Sequence, residues 1–209
     1  MNNFLQTLKI QRWDDHRYYH HSLVNQSLHL FSASTFVCAY ILMFWYPWAA
    51  ALIGWMISMT SRQIGHFFFE PKGYDAVNDA THEYKEEIKV GYNLKRKAVL
   101  LAIWGMSPLV LYVEPTLFGL FTPSTGPLEF IRRTGQIWLF IGVFGIIFRS
   151  VQLFFIRDVQ TGLVWATKIL TDPFSDIKLY YKAPLNLLRR ETIDEMDEMM
   201  DEAVLDHHV

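Results

Sequence analysis

"LHLFSASTFVCAYILMFWYPWAAALIGWMISMTSRQIGHFFFE", residues 28–70, decides the fold. It contains two mostly apolar runs, 28–46 and 48–69, parted only by Pro47. Each approaches the roughly 20 residues that a hydrocarbon core of about 30 Å requires. A proline between two such runs, flanked by Tyr46 and Trp48, predicts a tight helical hairpin with an aromatic belt at its turn.

Two more windows qualify downstream: 98–113, which is short and carries Pro108, and 136–156. The intervening segment 114–135, with Pro115, Pro123 and Pro127, reads as a loop. Composition agrees, since 51% hydrophobic and 16% aromatic residues with a mean hydropathy of +0.12 are high for a soluble chain of 209 residues. The expected fold class is an all-α integral membrane protein with about four transmembrane helices arranged as two hairpins.

The positive charges orient it. Of 19 Lys and Arg, only Arg132 and Arg133 fall in loops on the side of the Pro47 turn. The N-terminus, the 70–97 loop and the C-terminus are therefore expected to be cytoplasmic, in a bacterial inner membrane or the endoplasmic reticulum. Residues 1–17 are polar and basic, so the first membrane helix is expected to direct insertion itself.

Three units are expected: a membrane domain 1–156, an interfacial amphipathic segment 157–190 on the cytoplasmic face, broken at Pro173 and Pro184, and an acidic tail 191–209. All 19 basic side chains precede residue 191, so the body can attract anionic lipid or an anionic substrate. With Cys38 as the single cysteine, a disulfide framework is excluded. No Gly-rich phosphate loop, no Gly-x-Ser-x-Gly turn and no internal repeat occurs, and nothing points to a nucleic-acid partner.

The histidines carry the chemistry. Two of the eight, His207 and His208, end the tail; the other six, His16, His20, His21, His29, His66 and His82, all map to the cytoplasmic side. The hairpin brings His29, in the first turn of the first membrane helix, beside His66, in the last turn of the second. His21, Asn25 and His29 stand at i, i+4 and i+8, which one continuous helix would align on a face, and Arg62, His66 and Glu70 repeat that spacing. Gly65 permits a close approach beside His66.

Neutral imidazoles with a carboxylate suit iron, and less distinctively zinc or manganese. Ionisable groups at this depth are costly without a partner or a function. Eight residues at about 1.5 Å rise separate two Cα atoms by about 12 Å. Either the helix therefore begins between His21 and His29, or two metals are held, or one histidine only supports the site. The plain alternative is that such histidines bond lipid headgroups, and His82, in a charged loop, suits it best.

His21-x3-Asn25-x3-His29 opening the first membrane helix and "QIGHFFFE", residues 63–70, closing the second resemble the membrane 2-hydroxy fatty acid dioxygenases of fungi and their bacterial relatives. The likeness covers roughly residues 15–115. It implies a multi-pass non-haem iron(II) dioxygenase that uses dioxygen to cleave a 2-hydroxy fatty acid to the acid one carbon shorter; the histidine spacing itself leaves one or two ions open. On this chain it implies that His21, His29 and His66 hold iron, with Glu70 ligating or supporting. Asn25, read from its position alone, either orients a ligand or makes a polar contact at the helix start. This chain departs from the family after Glu70, where "PKGYDAVNDATHEYKEE" intervenes, and after His29, where "LFSAS" replaces Gly-x-Pro.

The partners so implied are dioxygen, membrane lipids and a fatty acid or lipid-like substrate whose carboxylate meets Arg62 or Arg149; a homo-oligomer is compatible with this pattern. Snorkelling to headgroups is the plain role of both arginines. Two other readings stay open. His16-x3-His20-His21 is similar to one histidine box of the membrane di-iron hydroxylases and desaturases, although no second box occurs before the tail. A non-enzymatic subunit of a membrane assembly would also use the amphipathic segment and the acidic tail for docking.

Overall fold

The computed structural model describes residues 3–70, 73–75, 78–122, 125–191 and 193–194. The regular structure among them is helical, with no strand and two isolated bridges, Ser22 with Ile193 and Asp75 with Ala80. Of the expected acidic tail only Glu191, Ile193 and Asp194 are described; the rest lies outside the described residues.

The hairpin is present. Helix α1 (Phe4–Tyr19) is followed by α2 (Leu23–Leu42), a short turn, and a helical rod over 47–69. Pro47 sits in the rod's first turn, where its missing N–H costs nothing. The rod runs through α3 (Pro47–Ile53), a π-helical stretch π1 (Gly54–Met59), α4 (Thr60–Ile64) and a second π-helical stretch π2 (Gly65–Phe69). It packs antiparallel along α2: Ser32 Oγ donates to the Ser58 carbonyl at 2.7 Å, and the Thr35 and Ser58 hydroxyls meet at 2.7 Å.

Beyond the loop come α5 (His82–Ile88), α6 (Leu94–Val113), α7 (Pro127–Ile156), α8 (Val159–Tyr180) and α9 (Ala183–Leu188). Asn93 caps α6 by accepting from Arg96 N, and Asp158 caps α8 by accepting from Thr161 N. α7 lies against α3, where a Cβ on Gly135 would overlap the Trp48 carbonyl. The Pro47 turn and the start of α7 therefore share one end of the molecule. His29, His66 and the 90–92 loop, bonded to Gly145 and Arg149, share the other.

Among the described residues two helices are long and apolar enough to cross a membrane, 95–113 within α6 and Pro127–Ile156, and little of either is buried. The exposure pattern is inverted relative to a soluble bundle. Ile103, Val113, Phe140, Phe144, Phe155 and Phe174 face outward, while Asn25, His29, Ser32, Ser58 and Arg149 are buried.

One expectation is corrected. Pro173 does not break the segment after residue 157; α8 runs through it as a single helix of 22 residues, and Pro184 opens α9 rather than ending a helix. A proline weakens the preceding turn's carbonyl bonds, and the Tyr40 hydroxyl of α2 donates to one of those carbonyls, Leu170 O, at 3.1 Å. α8 packs along both α2 and α7 and turns Lys168, Asp172 and Asp176 inward.

Candidate metal centre

The chain is not helical at His20, His21 and Ser22, and this break builds the site. Side chains from the first turn of α2 satisfy carbonyls that the end of α1 leaves open. Asn25 Nδ2 donates to Tyr19 O at 2.8 Å and Gln26 Nε2 to His20 O at 2.9 Å, while Asp194 N donates to His21 O at 2.9 Å. The helix thus begins between His21 and His29, one of the three outcomes the spacing left open. The turn swings His20 inward and His21 away.

His20, His29 and His66 converge, all buried, with their nearest ring nitrogens within 4.8 Å of one another. Nε2 of His20 lies 3.2 Å from Nε2 of His29, and the His66 ring centroid lies 5.3 and 4.9 Å from theirs. Each ring turns Nδ1 toward an oxygen. His20 Nδ1 is 2.9 Å from the Asp15 carbonyl, His66 Nδ1 is 2.6 Å from Glu70 Oε2, and His29 Nδ1 is 3.6 Å from Asp176 Oδ2. An oxygen on Nδ1 fixes the tautomer that leaves Nε2 with a lone pair, the usual support for a metal-binding imidazole. Burial holds His20 well below the ordinary imidazole value, so it is neutral and can ligate.

Neighbouring residues hold the cluster tightly. A Cβ on Gly65 would overlap Asn25 Oδ1 and stand 3.6 Å from His29 Cδ2, so only glycine lets π2 approach α2 this closely. A π-helical turn at His66 fits the tendency of such turns to occur at functional sites. Three buried polar atoms within one turn of the imidazoles, Asn25 Oδ1, His29 Nδ1 and Gln63 Oε1, have no hydrogen-bond partner. This donor set fits a transition metal: three neutral nitrogens, supporting oxygens behind two of them at hydrogen-bond distance, and unused bonding capacity around them.

The remaining expected residues separate into distinct roles. His16 Nδ1 is 3.2 Å from the Tyr180 hydroxyl, and its Nε2 is 3.9 Å from Asp194. His21 Nε2 lies 3.2 Å from Asp75 Oδ2, in a second buried cluster with Asn78 and Lys85. His82 begins the short α5 in the loop. None of these three joins the converging set among the described residues. The resemblance implied His21, and His20 takes its place because the break in the helix shifts the register.

Glu70 stands behind His66 and also meets Lys89 Nζ at 3.5 Å; burial raises its carboxyl above the ordinary range, against the pull of Lys89. Arg62 is paired with Asp176. Arg149 donates to the Val90 and Gly91 carbonyls at 2.6 and 3.1 Å and to Gln152 at 2.5 Å, and it does not line the cavity described next. Asp176 and Tyr180 of α8 complete the wall, and sequence reading missed both because the proline at 173 was taken to end that helix.

The imidazoles open into a cavity of about 1040 Å³ between α2, the rod, α6, α7 and α8. Its wall changes from His20, His29, His66 and Arg62 at one end to Trp55, Leu100 and other apolar residues beyond. That volume reaches the upper end of ligand-sized cavities, about 300–1,000 Å³. In comparisons with known proteins, no family model, no curated protein and no solved structure matches the chain.

Proposed function

We propose that the protein is a multi-pass membrane oxygenase that holds iron(II) on His20, His29 and His66 and acts on a fatty acyl substrate. The single observation that carries the reading is the convergence of three buried imidazoles, two of them held by an oxygen on Nδ1, at the polar end of an apolar cavity. The four apolar helical segments form two hairpins across the bilayer, with the imidazole end at the cytoplasmic surface. The outward-facing aromatic and aliphatic side chains of α6 and α7 support that placement.

The reaction is α-oxidation. A 2-hydroxy acid and dioxygen give the acid one carbon shorter, carbon dioxide and water, which balances without a further reductant. Bound iron supplies the redox chemistry that dioxygen needs. The chain's own residues do the rest. Glu70 and the Asp15 carbonyl hold two rings in one tautomer, and Asp176 neutralises Arg62 beside the third. The apolar wall excludes water around the acyl chain.

The test is elemental analysis of detergent-purified protein without added metal, beside His20→Ala, His29→Ala and His66→Ala, followed by an oxygen-uptake assay with 2-hydroxyhexadecanoate. Near-stoichiometric iron lost in all three variants, with uptake and carbon dioxide release in the parent only, is the expected result. A well-folded parent with no transition metal would sink the metal centre and leave a non-enzymatic subunit as the better reading. Two irons per chain would favour di-iron chemistry instead.

A further inference from the structure

Helix α6 opens with three consecutive cations, Lys95, Arg96 and Lys97, after its Asn93 cap. The first two are exposed, as cations at a lipid surface generally are. Lys97 is turned the other way. It is partly buried and lines the cavity with Leu100, three residues on and on the same helix face.

Lys97 lies close enough to the imidazoles to be the leading charge acting on His66 and, after Arg62, on His29. The cations around it are neutralised. Arg62 meets Asp176; Lys89 meets Glu70 and Glu86 at 3.5 and 3.3 Å; Lys168 meets Asp15 and Asp172. Among the described residues Lys97 makes no hydrogen bond or ion pair. The carboxylates that act on it at longer range, Glu70, Asp15 and Glu86, are in contact with Lys89 and Lys168 instead. A partly buried ammonium with no direct partner is costly, and in a cavity that cost points to an anion supplied by the ligand.

The cavity beyond Lys97 is suited to a chain. Trp55, Trp104 and Trp138 pack together, with ring centroids 5.3 and 5.1 Å apart along the series, and Trp55 and Trp138 line the space with Leu100. Gly142 and Gly145 of α7 also face it, and a Cβ at either would meet only side-chain atoms at van der Waals distance.

We infer that Lys97 is the counter-ion that selects the substrate's carboxylate, with the head group at the imidazoles and the chain between α6, α7 and the 47–69 rod. The inference rests on the proposed function for the acid and for its place beside the imidazoles, and it specifies the residue that meets the carboxylate. It also replaces Arg62 and Arg149, both already committed, as the residue that selects an acid.

The test is binding to the full-length protein in non-ionic detergent under anaerobic conditions, read by displacement of a fluorescent anthroyloxy fatty acid. Hexadecanoate is compared with hexadecanol on the parent, Lys97→Met, Lys97→Arg and, as a surface control, Lys95→Met, with metal content measured on each sample. The parent is expected to prefer the acid at least tenfold. Lys97→Met loses that preference while binding the alcohol unchanged, whereas Lys97→Arg and Lys95→Met keep it.

Equal binding of acid and alcohol by the parent overturns the inference even if Lys97→Met fails to fold. So does an undiminished acid preference in a folded Lys97→Met. Metal retained with no acid preference would leave the metal centre standing without this inference; acid preference with no metal would do the reverse.

Discussion

Two buried histidine clusters lie on either side of the α1–α2 break, and they differ in what they leave unbonded. His21 is closed off: Asp75 lies 3.2 Å away, and the Asp75 carboxylate in turn accepts from Asn78 Nδ2 at 3.1 Å and meets Lys85 Nζ at 3.6 Å. His20, His29 and His66 present nitrogens to one another; with Nδ1 of His20 and His66 donating to oxygens, the single N–H of His29 can meet only one of their two Nε2 lone pairs. The first arrangement fastens Asp75 and Asn78 to the end of α1. The second retains bonding capacity that only a ligand can use. Burial and proximity are common to both, so neither distinguishes a metal site from a structural cluster; unspent donors and acceptors do.

Deleting one ring from each cluster has the largest expected effect. Alanine at His20, His29 or His66 is expected to weaken metal binding by more than about 100-fold, beyond the roughly 10–100-fold typical of supporting residues. His21→Ala should retain metal and lose thermal stability instead. Metal content after dialysis separates the two, and loss of metal in His21→Ala with retention in His20→Ala would restore the ligand set that the resemblance implied.

Glu70→Gln acts one bond further from the metal. The amide keeps the shape but exchanges the carboxylate that holds His66 Nδ1, and metal affinity should fall by about 10–100-fold with the helical content intact. Unchanged affinity in a chelator competition would show that Glu70 serves only Lys89. A smaller effect is expected for Lys85→Met in the closed cluster. Asp75 keeps His21 and Asn78, so the loss is about 1–3 kcal/mol of stability with metal binding untouched. A denaturation midpoint equal to the parent's would remove the structural role.

The hairpin and the pairing of its ends were legible because Pro47 sits between two runs of membrane length, and that geometry alone puts His29 near His66. The choice of His20 over His21 was not. It depends on side chains of Asn25 and Gln26 capturing carbonyls of the preceding helix, and on Asp194 returning from the far end of the chain to bond His21 O. A periodicity argument that assumes one continuous helix aligns His21, Asn25 and His29, and a break of three residues cancels that alignment. Asp176 and Tyr180 were hidden for a related reason. Pro173 ordinarily ends a helix, and here packing against α2 and the Tyr40 hydroxyl carry α8 through it.

The smallest effect at neutral pH concerns His16, which lies between the two clusters and bonds Tyr180 on the wall of the open one. Burial pushes its imidazole down from the ordinary 6.5 to about 4, the nearby Asp194 only partly offsetting that loss of hydration. In the folded chain His16 is therefore neutral at pH 5, while in the unfolded chain it is mostly protonated. The unfolded state binds more protons throughout this window, so the His16 contribution to stability is complete above about pH 6.5. It falls as the pH drops and is exhausted near pH 4. Thermal unfolding of metal-free protein should show that decline, with a shallower slope in His16→Asn, which preserves a partner for the Tyr180 hydroxyl but does not titrate. Metal-loaded protein should lose stability more steeply over the same range, because protons compete for the ligating imidazoles as well. Parallel slopes for parent and His16→Asn would mean that His16 is hydrated in solution, and that the α1–α8 contact covering it opens more readily than its packing implies.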